Sequence, residues 1–273
     1  ILLQQDFESP SFPADWTQTS FAEDGGWQFG APEDLSSQFW SIPSNGSTRI
    51  PATNDDACNC DKSKDYLITP ILDFSTLTGV ALSFDVFFKK ETYQGFTEYA
   101  TIEVTTDGVN WTVIEDLPKH PGWHLHQVDL SEYIGEDSVR IAFHYDDDGG
   151  FLYGWAIDNV TVGVPPASDA GLAELKLLPY GEVGVPVPIT GMIVNNSLSP
   201  ITEMEISYAV NGGAKLSTHL HGLNIEAFQS YTFHTSEPWN PPATGIFDIS
   251  VVIESVNNKA DDIAANDTIS SQV

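Results

Sequence analysis

The sequence predicts an all-β protein of two domains, and three observations carry that prediction. Short alternating or apolar stretches rich in Val, Ile, Phe, Tyr and Thr recur throughout, no 3.6-residue periodicity extends beyond two turns, and one Pro-containing segment separates two runs of such stretches. At 273 residues the chain exceeds the usual single-domain size. Its hydrophobic content of 41% and aromatic content of 11% suffice for packed cores, so a charged fraction of 18% does not read as disorder.

In the first 50 residues, Gly25-Gly26, Pro32, Pro43 and Asn45-Gly46 break up Trp16, Trp27, Phe29, Phe39 and Trp40, which predicts short strands joined by long ordered loops. Ile102, Val104 and Thr106 alternate on a strand; Asp107-Gly108 with Val109-Asn110 then supplies turn chemistry before Trp111 to Ile114, a hairpin. In Val139 to Tyr145, Val139, Ile141, Phe143 and Tyr145 share one face and Arg140, Ala142 and His144 the other, the pattern of a half-buried strand. The linker is expected at Gly163 to Gly171, where Val164-Pro165-Pro166-Ala167-Ser168 interrupts the strands, giving domains 1–164 and 165–273. Beyond it, Leu172 to Leu178, Val185 to Val194, Met204 to Val210, Lys215 to Leu220, Tyr231 to His234 and Phe247 to Val256, with a tight turn at Asn211-Gly212-Gly213, match a β-sandwich of immunoglobulin type without that fold's cysteine pair. No internal repeat points to a solenoid or propeller.

Ten Lys plus Arg against 39 Asp plus Glu give a formal net charge of −29. Such a field repels phosphate backbones and anionic membranes, which excludes nucleic acid as a partner, and it suits hard divalent cations. The longest apolar run, Val80 to Phe88, is interrupted by Asp85, so membrane insertion through a helix is not expected. The chain starts at Ile1 without a basic, leader-like segment, and it is expected to be a mature fragment whose targeting signals were already removed.

Asp6-Phe7-Glu8, then Asn54-Asp55-Asp56-Ala57-Cys58-Asn59-Cys60-Asp61, Asp65-Tyr66-Leu67-Ile68-Thr69-Pro70 and Gly154-Trp155-Ala156-Ile157-Asp158-Asn159-Val160 follow one another in an order that resembles the cleaved-adhesin or choice-of-anchor J domain of Bacteroidetes surface and secreted proteins. The resemblance covers roughly residues 1 to 164. It implies a jelly roll similar to MAM and galactose-binding-like domains, a secreted or cell-surface location, and a structural Ca2+ held by Glu8, Asn54, Asp56 and Asp158, with Asp6, Asp55 and Asp65 as further candidates. The second half, with Gly171-Leu172, Val194-Asn195-Asn196, Tyr208 to Gly213 and Asn266-Asp267, resembles the immunoglobulin-like modules that follow in such proteins.

Read from the residues alone, Asp6 and Glu8 lie two apart on an expected strand and project to one face, while Asn54, Asp55 and Asp56 share a loop that also offers backbone carbonyls. Three neighbouring carboxylates repel one another unless solvated or neutralised, so the alternatives are a cation that gathers them or an exposed acidic loop. Asp146-Asp147-Asp148-Gly149-Gly150 reads as a solvated turn, or as the start of a calcium loop that lacks the later glutamate of an EF-hand. Cys58 and Cys60 allow a disulfide closing a very small ring, two free thiols, or zinc with ligands from elsewhere.

His124 and His126 alternate on an expected strand, as do His219 and His221, and His120 lies close before the first pair; the prevailing expectation for strand histidines is a half-exposed surface role. No Gly-x-Ser-x-Gly, His-Glu-x-x-His, Walker loop or dinucleotide fingerprint occurs. The aromatic side chains Phe88, Tyr93, Phe96 and Tyr99, beside polar Lys89, Lys90, Glu91 and Gln94, are the expected contact set for a sugar ring or a protein. The expected function is therefore non-catalytic: a calcium-stabilised, monomeric adhesion or substrate-targeting module of a larger protein, binding an extracellular glycan or protein. The alternatives are a glycan hydrolase with paired carboxylates in a jelly-roll cleft and a structural spacer beside a catalytic domain.

Overall fold

A computed structural model describes residues 1–273, and every strand pairing in it is antiparallel. The chain divides into two units, Ile1–Val164 and Pro165–Val273. The first holds β1 (Leu3–Gln5), β2 (Thr17–Thr19), β3 (Gln28–Gly30), β4 (Ile50–Asn54), β5 (Asp65–Ile68), β6 (Ala81–Phe88), β7 (Thr92–Tyr93), β8 (Phe96–Thr97), β9 (Tyr99–Thr105), β10 (Thr112–Asp116), β11 (His120–Asp129), β12 (Arg140–Asp146) and β13 (Gly154–Gly163), with two single-turn helices, α1 (Pro32–Leu35) and α2 (Asp55–Cys58). One sheet runs β11-β6-β13-β4-β3, with β1 also on β13; the facing sheet runs β10-β9-β12-β5-β2. From β4 onward the chain passes repeatedly between the two sheets, the habit of a jelly roll.

The alternation of Val139 to Tyr145 does what a two-residue period requires: Val139, Ile141, Phe143 and Tyr145 are buried in the core between the sheets with Phe84, Val86, Phe88, Ile102, Val104 and Trp155. The Asp107–Asn110 turn closes the β9–β10 hairpin, with the Asp107 carboxylate accepting from the Val109 and Asn110 amides at 2.8 and 2.7 Å. The early loops cover the outside of the first sheet. Trp40 and Ile42 pack there on Ile50, Ala52, Phe87 and Ala156, so this end of the sheet is buried on both faces. This double cover corrects one expectation: Phe88 is fully buried between the sheets and Phe87 beneath Trp40, and neither can touch a ligand.

The second unit is a sandwich of β14 (Ala170–Leu175), β15 (Thr190–Asn195) and β18 (Ser230–His234) against β17 (Leu216–Ile225), β16 (Ile201–Val210), β19 (Asp248–Val256) and β20 (Thr268–Gln272). Three strands facing four is the immunoglobulin-type arrangement, with Ile193, Ile206, Phe233, Val251 and Trp239 in its core. Strand β20 carries only one large apolar residue, Ile269, which is why alternation does not reveal it. Asn266 donates to Asp169 at 2.9 Å and so joins the end of this unit to its first strand.

In the first unit a cation is completely buried. Lys62 Nζ lies 2.9 Å from Asp24 and 3.1 Å from Asp65, and Asp65 also accepts from Thr53 Oγ1 at 2.6 Å and from Ser20. Removing one partner of a buried pair leaves an uncompensated charge. Lys62→Met should therefore cost about 3–5 kcal/mol in urea unfolding followed by tryptophan fluorescence, and Lys62→Met with Asp65→Asn should recover most of that loss. A single-variant cost below about 1 kcal/mol, the range of exposed pairs, would contradict this reading.

Candidate binding cleft

The loop predicted to hold a metal folds instead as a capped turn of helix. Asn54 is the N-cap of α2, its Oδ1 accepting from the Ala57 amide at 2.9 Å while its Nδ2 donates to Leu35 O at 2.7 Å. Asn59 ends the turn in the left-handed conformation, φ 49°, and donates to Asp55 O. Cys58 and Cys60 are joined in a disulfide with Cα atoms 5.2 Å apart. The Asp55 and Asp56 amides both donate to Tyr153 O, at 2.9 and 3.2 Å, which fixes α2 to the start of β13. Asp56 faces outward and accepts from the Phe39 amide at 3.0 Å and from the Ser37 hydroxyl.

Behind α2 lies a group of buried carboxylates. Asp55 Oδ2 accepts from the Leu152 amide at 2.5 Å, whereas its Oδ1 is buried without any hydrogen-bond partner. Glu98, between β8 and β9, accepts from four donors: the Glu91 amide at 2.8 Å, Tyr145 Oη at 2.8 Å, and the Gly154 and Tyr153 amides at 3.0 and 3.3 Å. Asp147 accepts from the Lys62 and Gly149 amides at 3.1 and 3.0 Å. Gly154 is required at φ 143°, because a Cβ there would stand 2.2 Å from Thr53 O. Burial pushes the Asp55 carboxyl up to about 7, helped by the negative charges of Asp147 and Glu98 and opposed by the Leu152 hydrogen bond. Burial likewise raises Glu98 and Asp147, and it raises Tyr145 well above the ordinary tyrosine range.

The backbone held by these acids lines a cleft of about 410 Å³ formed by Phe39, Asp56, Glu91, Tyr93, Phe151, Leu152 and Tyr153. Phe39, Tyr93 and Phe151 are 60%, 52% and 40% exposed. Tyr93 stands on the β7–β8 hairpin, whose turn residues Gln94 and Gly95 both have positive φ, 53° and 94°, as a type I′ turn demands. Phe96 packs so closely on Gly150 that a Cβ there would lie 2.5 Å from the Phe96 Cβ. The Lys89 ammonium sits 4.9 Å from the centre of the Tyr153 ring. The result is a set of partly exposed aromatic rings beside two carboxylates, on a floor of hydrogen-bonded backbone.

The four residues expected to share one calcium ion are not brought together. Glu8 and Asp158 do meet, across the 45–48 loop: Glu8 accepts from the Thr48 amide at 2.9 Å, Asp158 from Asn45 Nδ2 at 2.7 Å, and the Ser47 hydroxyl lies against both. Asn54, however, is paired with Gly154, four residues along β13 from Asp158. Four residues of strand span roughly 13 Å, too far for one coordination sphere. The oxygens of Glu8, Asp158 and Asp56 are moreover engaged by N–H and O–H donors. Asp6 makes a local turn, accepting from the Glu8 amide at 3.2 Å, and Asp65 belongs to Lys62. Asp55 alone of the expected ligands joins the buried acids. Tyr99 is partly exposed, with the Lys90 ammonium 6.0 Å from its ring centre.

Glu98 and Phe151 were not singled out by sequence, Phe39 was read only as part of the early loops, and Asp147, read within a solvated turn or the start of a calcium loop, is buried. For Asp147 a signal exists, since the alternation that turns Val139, Ile141, Phe143 and Tyr145 inward places Asp147 inward too. Glu98 carries none, because its neighbours are ordinary strand residues.

No protein-family model matches the chain, and no curated protein sequence does. Among solved structures, it is similar to the K3 cleaved adhesin domain of Lys-gingipain from Porphyromonas gingivalis W83, at 18% identity and a TM-score of 0.41, over 59% of this chain and 98% of that one. It is similar to the CARDB domain of a Pyrococcus furiosus protein solved with di-metal ions, at 16% identity and a TM-score of 0.31, over 39% and 91%. It is also similar to the CBM22-1 xylan-binding domain of Paenibacillus barcinonensis Xyn10C, at 12% identity and a TM-score of 0.37, over 59% and 92%.

The raised Asp55 carboxyl has a defined effect on stability. Its value in the fold, about 7, exceeds the ordinary 3.8, so the folded state holds the proton more tightly. The group's contribution is fully present below pH 3.8 and is lost as pH rises through about 7. In chelator, the stability difference between the native chain and Asp55→Asn should therefore fall for the native chain between those limits. Parallel pH profiles for the two would show that the carboxyl is not held as described.

Proposed function

We propose that the chain is a non-catalytic binding module of a secreted or cell-surface protein, and that the cleft of Phe39, Tyr93, Phe151 and Tyr153 takes a glycan. The observation that carries this reading is the exposure of three aromatic rings around a cleft whose floor is anchored by buried hydrogen bonds. Sugar rings present apolar C–H faces and hydroxyl edges, which pair with aromatic planes and with carboxylates such as Asp56 and Glu91. Those carboxylates, on a chain of net charge −29, favour neutral over anionic glycans.

Calcium enters the proposal as a brace beneath the cleft. Asp55 is the residue that fits it, since its Oδ1 is buried without a partner and its carboxyl is repelled by Asp147 and Glu98, whose own oxygens already accept from amides and from Tyr145. A bound divalent cation would supply the missing positive charge there, keep Asp55 ionised and rigidify the backbone of Leu152 and Tyr153.

Affinity electrophoresis of the full chain in neutral β-glucans, xylans and mannans, with heparin and polygalacturonate for comparison, tests the reading. Retardation is expected in a neutral polysaccharide, with Tyr93→Ala and Phe151→Ala each weakening it about tenfold and chelator weakening it as well. Retardation by anionic polymers only, or retardation unaffected by both substitutions, would overturn the assignment. Asp56 and Glu91 in one cleft favour a second reading, hydrolysis by paired acids, and release of reducing sugar by the purified chain, abolished in Glu91→Gln, would establish it.

A further inference from the structure

The β11 edge of the first sandwich carries a cluster that the glycan cleft does not use. Strand β11 is the end strand of its sheet, and His120, His124 and His126 stand opposite Phe88, Val86 and Phe84 of β6. Those three are core residues, so the histidines lie on the face turned toward the open seam between the two sheets, His120 and His126 half-buried and His124 exposed. The three are an even number of residues apart and so share one face, and the irregularity between His120 and His124, where four residues of β11 advance only two positions along β6, draws their imidazoles closer together. The rings of His120 and His124 are stacked with centres 4.8 Å apart, and those of His120 and His126 are 5.5 Å apart.

Across the seam, β10 contributes Glu115, whose Oε1 lies 2.9 Å from His126 Nε2. A carboxylate in that position receives the Nε2 proton and leaves the Nδ1 lone pair for another partner. His120 Nε2 is buried with no hydrogen-bond partner. An unpartnered imidazole nitrogen in a seam closed by Phe84 on one side lacks either water or a ligand to satisfy it.

We propose that His120, His124 and His126 form a site for a divalent transition-metal ion, zinc first among them, with Glu115 orienting His126 as a positioning residue. Imidazole nitrogens select zinc, copper or nickel over calcium, so the site is chemically separate from the buried carboxylates. Binding turns the His120 and His124 rings out of their stack toward a common ion, a rotation of side chains on a fixed edge strand. The ion then links the two edge strands of the sandwich, β11 directly and β10 through Glu115, and closes the seam.

Zinc chloride titrated into the full chain by calorimetry at pH 7.5, with calcium in excess to occupy oxygen sites, tests the proposal. One saturable event is expected, accompanied by a higher melting temperature. His124→Gln and His126→Gln should abolish it, Glu115→Gln should weaken it about 10–100-fold, and His219→Gln with His221→Gln should leave it unchanged. Cu2+ in place of zinc should show nitrogen couplings from several imidazoles by electron paramagnetic resonance. Absence of saturable zinc binding by the native chain, or binding that survives both His124→Gln and His126→Gln, would overturn the site. If those variants melt below the native chain in chelator, His126→Asn and the copper spectrum of the native chain decide the question, and a spectrum without nitrogen couplings rejects it.

Discussion

Two buried carboxylates hold the functional end of the first unit in shape. Asp55 and Glu98 between them accept from the amides of Leu152, Tyr153, Gly154 and Glu91, four N–H groups in two stretches of backbone that would otherwise be left unpaired under the cleft. A carboxylate in apolar surroundings is costly, and these two endure because each lone pair that can be reached finds a donor, except at Asp55 Oδ1. That unsatisfied oxygen and the negative charges of Asp147 and Glu98 outweigh the attraction of the Lys62 ammonium and leave the group short of positive charge. The same shortage that raises the Asp55 carboxyl makes the group receptive to a hard cation.

The sandwich serves this arrangement by covering the first sheet on both faces. With Trp40 on one side and the main core on the other, β6 and β13 are covered on both faces around Phe87 and Ala156, and the exposed aromatic rings stand on the loops beyond that end. Phe39 rides on the 36–40 loop that Asp56 fastens, Tyr93 on the β7–β8 hairpin, and Phe151 on the turn that Asp55 and Glu98 anchor. Three loops from different parts of the chain thereby present their rings to one cleft. The histidine row follows from the same topology, because β11 is an end strand and residues facing the seam there keep partial exposure.

Much of this fold is legible in the residues. The alternation of Val139 to Tyr145 and the turn at Asp107–Asn110 are written in a two-residue period and in side chains that bond their own backbone. The cleft is less so. Acidic runs show that carboxylates exist, but which of them converge depends on register: Asn54 pairs with Gly154, and this alone separates it from Asp158. Phe88 could not be told from a ligand contact until its place in the core between the sheets was known, and Glu98 gains its role only from a hairpin that brings it beneath Gly154. Pairings between distant segments carry that information, and local pattern does not.

Hydrogen exchange at the amides of Glu91, Leu152, Tyr153 and Gly154 is the most direct probe of whether the buried acids brace the cleft. The account predicts that these four are strongly protected in calcium and lose protection together in chelator, while the central strands β9 and β12 stay protected. Exchange at the rate of a free loop in calcium, or four amides that open independently of one another, would contradict it.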